Sequence, residues 1–237
     1  MSNRRTVYSD RVLDCSSLTL VLLIPYDQGC VLMADRQETF SDGSKDDLTK
    51  LYCHGDDGPA MGCAGGADLI RKLFSELRGL NFSTQSPLTI IKQQLDQSIR
   101  EASENAALMG PGLDPDRMKI DFLLVETQND DLVASSFNGL WTRKLDRTKI
   151  HAIPEDNVVV KQYLIDTTSF TEENAIGFGL RVLRQISLHN YTVGPPEYHG
   201  YDMIKIDDTG KFAFVSKPAT FRRLTVSELL AEMNPIE

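Results

Sequence analysis

Residues 19–36, with the sequence TLVLLIPYDQGCVLMADR, predict the centre of the fold. Two apolar runs, 18–24 and 30–34, flank the turn Asp27-Gln28-Gly29. Gly29 can adopt the positive φ that a tight hairpin turn requires. Because both runs are apolar at nearly every position, each predicts a strand that is buried on both of its faces. This stretch therefore predicts a buried antiparallel hairpin.

Further strand pairs follow along the chain, separated by groups of helices. We predict strands over 48–52, 59–63, 120–127, 132–137, 140–144, 203–206 and 212–215. We predict helices over 68–78, 86–108, 156–165 and 171–189, and a last short helix at the capping box Thr225-x-x-Glu228. The dipeptide Asn138-Gly139 predicts a two-residue hairpin turn.

The order of these elements predicts the fold class. Grouped hairpins, rather than alternating strand and helix units, favour antiparallel sheets. Strands that are apolar on both faces need cover on both sides. We therefore expect an α+β fold, a four-layer αββα sandwich in which two antiparallel sheets pack face to face with helix pairs outside. No linker, repeat or low-complexity tract interrupts the 237 residues, which predicts one domain over 1–237. Residues 1–16 are interpreted as a propeptide or an N-terminal extension.

Charge and composition exclude several classes of function. The formal net charge is −9 at pH 7, which argues against binding to nucleic acid or to an anionic membrane surface. No apolar run is long enough to span a bilayer, and the basic N-terminal residues are not followed by an apolar segment, so we expect neither a membrane span nor a signal peptide. The four cysteines have neither disulfide-framework nor zinc-ligand spacing, which favours reduced thiols in a cytoplasmic protein.

Three motifs at these spacings resemble the 20S proteasome family, either a β-type subunit or a bacterial or archaeal proteasome-like relative. They are residues 19–36, the segment Lys50-Leu51-Tyr52, and residues 61–68 with the sequence MGCAGGAD. The likeness is strongest over about residues 17–80, and the order of elements extends it to about residue 216. The resemblance implies an N-terminal-nucleophile hydrolase fold, which agrees with the sandwich expected from the element order.

The same resemblance implies a set of catalytic residues. Thr19 matches the family's nucleophile, and Ser17 takes that position if the turn at Pro25 holds a two-residue insertion. Asp35 matches the family's buried carboxylate, Lys50 its buried lysine, and Gly65 the glycine whose N–H stabilises an oxyanion. In such a site the freed α-amine of the nucleophile acts as the general base. This chemistry requires no cofactor and no metal.

Each of these residues also has an ordinary structural explanation. Threonine suits a strand, and an aspartate at a strand end suits a turn. A lysine is usually solvated, and a Gly-Gly pair before a helix is usually a tight turn. Only the combination of these residues at the family's spacing favours a real Asp–Lys pair near the start of the first strand.

Two functional hypotheses remain open at the level of sequence. The first is a threonine-type peptidase that self-assembles into a ring or array, hydrolyses unfolded polypeptide, and is fed by an ATP-dependent unfoldase. The second is a non-catalytic structural subunit of a proteasome-like assembly. The family is cleaved between a glycine and the nucleophile, whereas Ser17-Leu18 precede Thr19 here. The family's supporting serines are replaced by Pro154-Glu155-Asp156 and by residues 194–200.

Overall fold

A computed structural model describes residues 19–39, 45–82, 85–109, 120–139, 141–154, 170–190 and 192–218. In chain order its strands are β1 (Val21–Tyr26), β2 (Gly29–Asp35), β3 (Gln37–Thr39), β4 (Lys45–Asp47), β5 (Leu51–Cys53), β6 (Ala60–Gly65), β7 (Ile120–Gln128), β8 (Asp131–Phe137), β9 (Thr142–Lys144), β10 (His151–Ile153), β11 (Gly200–Asp207) and β12 (Phe212–Pro218). Its helices are α1 (Ala67–Leu77), α2 (Pro87–Met109), α3 (Glu172–His189) and the single turn α4 (Pro196–His199).

The strands form two antiparallel five-stranded sheets and one small ribbon. The first sheet has the order β10-β1-β2-β11-β12, and the second has the order β5-β6-β7-β8-β9. The ribbon pairs β3 with β4. The predicted central hairpin is confirmed, because β1 pairs with β2 from Val21 opposite Ala34 to Tyr26 opposite Gly29. Gly29 has a φ of 150°, and a Cβ there would lie 2.0 Å from the carbonyl oxygen of Ile206.

Three apolar cores separate four layers. The two sheets enclose the central core, which includes Leu32, Leu123 and Ile204. A second core lies between the second sheet and the helices α1 and α2. A third lies between the first sheet and α3. The expected αββα sandwich with antiparallel sheets is therefore confirmed, and its layers follow from strands that are apolar on both faces.

Most predicted elements occur where the periodicity places them, with differences at their ends. Helix α3 begins as expected, with the Thr171 hydroxyl accepting a hydrogen bond from the Asn174 N–H. The two-residue turn expected at Asn138-Gly139 is wrong. The ladder closes at Phe137 opposite Thr142. Asn138 instead bonds to Trp141, because its N–H donates to the Trp141 carbonyl oxygen and its side-chain oxygen accepts the Trp141 N–H. The helices predicted over 156–165 and after Thr225 lie outside the described residues.

Candidate active site

Asp35 and Lys50 form an ion pair that is fully buried. Asp35 is the last residue of β2, and Lys50 directly precedes β5, so the pair joins the two sheets of the sandwich. The Lys50 Nζ donates a hydrogen bond to Asp35 Oδ2 at 2.8 Å, and both side chains have an exposed fraction of 0%. Because the Lys50 side chain is fully buried, it is not an ordinary solvated lysine.

Backbone groups complete the surroundings of the pair. Asp35 Oδ2 accepts the N–H groups of Gln37 and Gly194, each at 3.1 Å, and Oδ1 accepts the Leu20 N–H at 3.4 Å. The Lys50 Nζ also donates to the carbonyl oxygen of Gln37 at 2.6 Å. A buried ion pair is tolerated when further hydrogen bonds satisfy both partners in this way.

Thr19 lies two residues before β1 and is 6% exposed. The following residue, Leu20, donates its N–H to Asp35, so the entry to β1 is tied directly to the buried pair. Val21 and Leu23 face the core between the sheets, and strand alternation directs Thr19 to the same side. If the register of β1 with β2 continued by two residues, Thr19 would lie opposite Arg36. Ser17, the alternative nucleophile, lies outside the described residues.

Gly65 is the last residue of β6, and this strand contacts Lys50. Two residues earlier on β6, the Cys63 N–H donates to the carbonyl oxygen of Lys50 at 2.9 Å. Gly65 has a φ of 134°, which residues with a Cβ rarely adopt. Cys63 is buried against α1, where burial raises the pKa of its thiol. A neutral, inaccessible thiol is a packing group rather than a second nucleophile.

Gly194 and Gln37 belong to this site and were missed by sequence reasoning. A Cβ at position 194 would lie 2.6 Å from the Cβ of His199 and 2.8 Å from the Cβ of Gln37. Only glycine therefore lets the loop before α4 approach Asp35 closely enough to donate its N–H. No local pattern could have identified this contact, because 159 residues separate its two partners.

Arg36 forms a second polar cluster beside the ion pair. Its guanidinium donates to Asp47 through Nε and Nη2, and to Asp202 and Ser216 through Nη1, at 2.5–2.7 Å. These hydrogen bonds, with that to Asp47 foremost, raise the pKa of Arg36 further above its usual value. Asp202 is fully buried, so this cluster anchors the ends of β2, β4, β11 and β12 together.

A cleft of about 910 Å³ opens beside these residues. It is lined by Arg36 and Ser216, by Leu48, Thr49 and the strand β5, and by residues of α1. Because Arg36 and Thr49 adjoin Asp35 and Lys50 in sequence, the cleft lies next to the buried pair. Its walls are partly apolar, through Tyr52 and Phe74, and it is large enough for amino-acid side chains.

His199, like Gln37, packs closely against Gly194. Burial lowers its pKa, as does the Lys45 ammonium, while the carboxylates of Asp35 and Asp47 act in the opposite direction. The imidazole is therefore neutral near pH 7. Across the described part of the chain, no three His, Cys, Asp or Glu side chains are grouped in a way that could hold a metal ion.

Two stacked antiparallel sheets between helices define a proteasome-like αββα sandwich, and the buried lysine–carboxylate pair lies near the start of its first strand. Solved structures of Anbu proteins share this fold. The chain in "Helical Assembly of the Anbu Complex from Pseudomonas aeruginosa" has a TM-score of 0.67 at 11% identity, with 91% of each chain covered. A Gly-1 mutant of Anbu from Hyphomicrobium sp. strain MC1 has a TM-score of 0.65 at 14% identity, covering 87% of this chain and 90% of that one.

Anbu from Yersinia bercovieri, described as an ancestral beta-subunit, has a TM-score of 0.62 at 12% identity, covering 84% of this chain and 88% of that chain. At these identities the likeness establishes the fold alone. No family model matches the chain, and no curated protein matches its sequence. The assignment to the 20S proteasome family is therefore wrong. The similar structures are Anbu proteins, which are proteasome-like in fold but form a distinct family.

No helix in the described segments has both the length and the apolar character needed to cross a bilayer.

Proposed function

We propose that this chain is a subunit of a self-associating, proteasome-like assembly. The observation that carries this proposal is the likeness to the Anbu chain from Pseudomonas aeruginosa, which was solved in a helical assembly and is covered over 91% of its length. The proposal treats residues 1–237 as one domain in the cytoplasm, with residues 1–16 as an extension or propeptide.

Light scattering coupled to size-exclusion chromatography tests the assembly. We expect a particle several times the mass of one chain, and electron microscopy in negative stain should resolve repeated subunits in a ring or an open helix. The measurement should be repeated at several protein concentrations and at high salt. A single-chain mass under all of these conditions would contradict the proposal.

The buried Asp35–Lys50 pair favours a second candidate function, a peptidase with an N-terminal nucleophile. In this proposal, cleavage of the bond before Thr19 frees its α-amine. The amine accepts the proton of the Thr19 hydroxyl, Lys50 favours the resulting oxygen anion by Coulomb attraction, and Asp35 compensates the lysine. The Thr19 oxygen then attacks the peptide carbonyl, and the Gly65 N–H stabilises the oxyanion. Collapse of the tetrahedral intermediate breaks the C–N bond, and the α-ammonium of Thr19 returns its proton to the leaving amine, which leaves an ester on Thr19. Water, deprotonated by the same α-amine, then hydrolyses this ester and releases the carboxylic acid.

Polypeptide is the substrate class in this second proposal, and an ATP-dependent unfoldase is the partner that would deliver it. Two features weigh against the peptidase. Leu18 rather than glycine precedes Thr19. The loop that donates the Gly194 N–H to Asp35 belongs to residues 194–200, which replace a segment that carries a supporting serine in the family. The non-catalytic assembly subunit is therefore the leading proposal, and the peptidase requires processing of the chain.

Mass spectrometry of the purified assembly separates the two candidates. A mature N-terminus at Thr19 or Ser17, with hydrolysis of fluorogenic peptides, supports the peptidase. In that case Thr19→Ala should abolish both processing and hydrolysis, and Thr89→Ala, at an exposed threonine on α2, is a matched control that should retain both. An unprocessed N-terminus in an assembled particle that hydrolyses no peptide supports the structural subunit.

A further inference from the structure

A second cavity, of about 390 Å³, lies at the end of the β6–β7 strand pair opposite Gly65. The turn before β6 forms one wall, through residues 54–59. The loop after α1 and the first residue of α2, Pro87, form another, and the end of β7 closes the cavity through Glu126 and Thr127. None of the residues proposed for catalysis lines it, although His54 and Gly55 also line the cleft beside Asp35 and Lys50.

Glu126 is the unusual residue in this cavity. Its side chain is buried, with an exposed fraction of 2%, yet it lies on the helix-facing side of β7 beyond the apolar residues Phe122 and Leu124. Oε1 accepts a hydrogen bond from the Gln128 side-chain amide at 2.9 Å. Within the described residues, Oε2 has no hydrogen-bond partner. A buried carboxylate oxygen without a donor is costly, so it favours a proton or a bound cation.

The surroundings of Glu126 favour a cation. Asp56 and Asp57 are exposed and line the mouth of the cavity. Among the residues that the structure describes around it, neither lysine nor arginine contributes to the lining. The N-terminus of α2 carries only about half a positive charge, which is less than the charge of the three carboxylates. Burial raises the pKa of Glu126, while its hydrogen bond from Gln128 acts against this shift.

Aromatic rings shape the same cavity. Phe82 meets the ring of His54 edge to face, with centroids 4.7 Å apart, and both residues line the cavity. An aromatic wall packs against methylene groups and attracts a cation through its ring face. One water molecule occupies about 30 Å³, and the cavity is many times larger. The cavity therefore suits an organic cation better than a bare ion.

We propose that this cavity binds a primary alkylammonium group, with one N–H donated to Glu126 Oε2 and the methylene stem packed against Phe82. An ammonium has three donors, so the remaining two can face the carboxylates of Asp56 and Asp57. The group can come from a free amine or from a lysine side chain of a polypeptide. Both sources share this chemistry, and they are distinguished by the two probes below.

The proposal is tested by titrating the full-length chain with n-butylammonium and with N-acetyl-lysine N-methylamide. Calorimetry measures the binding, and amide NMR shifts locate it. We expect saturable binding with shifts centred on His54 and Thr127. Glu126→Gln should weaken binding at least tenfold, because an amide keeps the shape but loses the charge. Asp57→Asn, at an exposed rim position, should weaken it about threefold without affecting the fold. Asp96→Asn, an exposed carboxylate on α2, is the control and should leave binding unchanged.

The two probes separate the sources of the ligand. Binding of the lysine derivative alone assigns a polypeptide ligand, binding of butylammonium alone assigns a free amine, and binding of both supports the ammonium site itself. Absence of saturable binding overturns the proposal, as does equal binding by the Glu126→Gln and Asp96→Asn variants. Binding of Mg²⁺ in place of both amines, abolished by Glu126→Gln, also overturns it in favour of a metal site.

Discussion

Each end of the β6–β7 strand pair lies beside a buried carboxylate, and the two carboxylates have opposite surroundings. Near Gly65, Asp35 accepts three backbone N–H groups and the Lys50 ammonium. At the other end, Glu126 accepts one hydrogen bond, from the exposed Gln128, and its Oε2 has no partner within the described residues.

We call the end of the strand pair near Asp35 the completed end and the end near Glu126 the incomplete end, because hydrogen bonds from the chain satisfy only the first carboxylate. Asp35 is compensated entirely by groups of the chain itself, so its charge is part of the folded structure. Glu126 is compensated only in part, so it depends on a proton or a ligand from outside. A substitution beside Asp35 should therefore lower the free energy of unfolding. A substitution of Glu126 should instead change how that free energy depends on pH and on ligand.

The largest expected effect comes from removing the cation at the completed end. Lys50→Met keeps the side-chain length but leaves Asp35 buried without its countercharge, which should lower the free energy of unfolding by about 3–5 kcal/mol. Urea denaturation measures this loss. Lys205→Met, which removes the half-exposed partner of Glu172, is the control and should cost at most about 1 kcal/mol. Equal losses in the two variants would contradict the comparison.

A second effect tests the close approach of Gly194 to the same pair. Gly194→Ala places a Cβ within 2.8 Å of both His199 and Gln37, so it should lower the free energy of unfolding by about 1–3 kcal/mol. Gly177→Ala, inside α3, meets only the end of Arg181 at 3.7 Å and should stabilise the chain by up to about 1 kcal/mol. Opposite signs for two identical substitutions are the expected result, and thermal unfolding of both variants measures them.

A third effect is a change in pH dependence at the incomplete end. Burial raises the pKa of Glu126 in the folded chain above its ordinary value of 4.5, so the folded state binds this proton more tightly than the unfolded state. The stabilising contribution is complete below about pH 4.5 and is lost as the pH rises through the raised value. Glu126→Gln stays neutral throughout.

The stability of the Glu126→Gln variant relative to the parent chain should therefore increase from pH 4 to pH 8. Urea denaturation at several pH values measures this trend, and Asp96→Asn, on the exposed face of α2, should show none. A stability difference between Glu126→Gln and the parent that falls as the pH rises would show that Glu126 is stabilised as an anion.

The smallest expected effect concerns the single donor to Glu126. Gln128→Met removes the hydrogen bond to Oε1 and should cost about 0.5–1.5 kcal/mol near neutral pH, and less in acid where the carboxyl is protonated. Gln97→Met removes the same kind of bond to the exposed Glu101, where water can replace the amide, and should change the free energy of unfolding by less than about 0.5 kcal/mol. Identical losses from both variants would indicate that Glu126 is as well solvated as Glu101.

Much of the fold could be predicted because its signals are local. The turn at Gly29 and the helical spacing of Leu69, Leu73 and Leu77 lie within a few residues of one another. The ribbon of β3 and β4 could not be predicted in this way, because its strands are three residues long and polar. The turn at Asn138-Gly139 was wrong for a different reason, since Asn138 bonds to Trp141 through both its backbone N–H and its side-chain oxygen.

The candidate site was predictable only in part, and only through resemblance. Asp35 and Lys50 were named because their spacing matches a known pattern, although the 20S family assignment behind that pattern is wrong. Gln37 and Gly194 were missed, since a backbone carbonyl and a backbone N–H have no signature in the residue type. Glu126 was missed as well, because an acidic residue near the end of a strand is ordinarily solvated.

The amino-acid sequence by itself determined the layers of this protein, since alternation and helical periodicity specify which faces must be covered by apolar neighbours. Only the tertiary structure decided which polar groups those layers enclose. Burial removes water as a hydrogen-bond partner, so the state of each enclosed charge depends on atoms that are distant in sequence. Gly194 brings such an atom to Asp35, whereas Glu126 lies where the described chain brings none to Oε2.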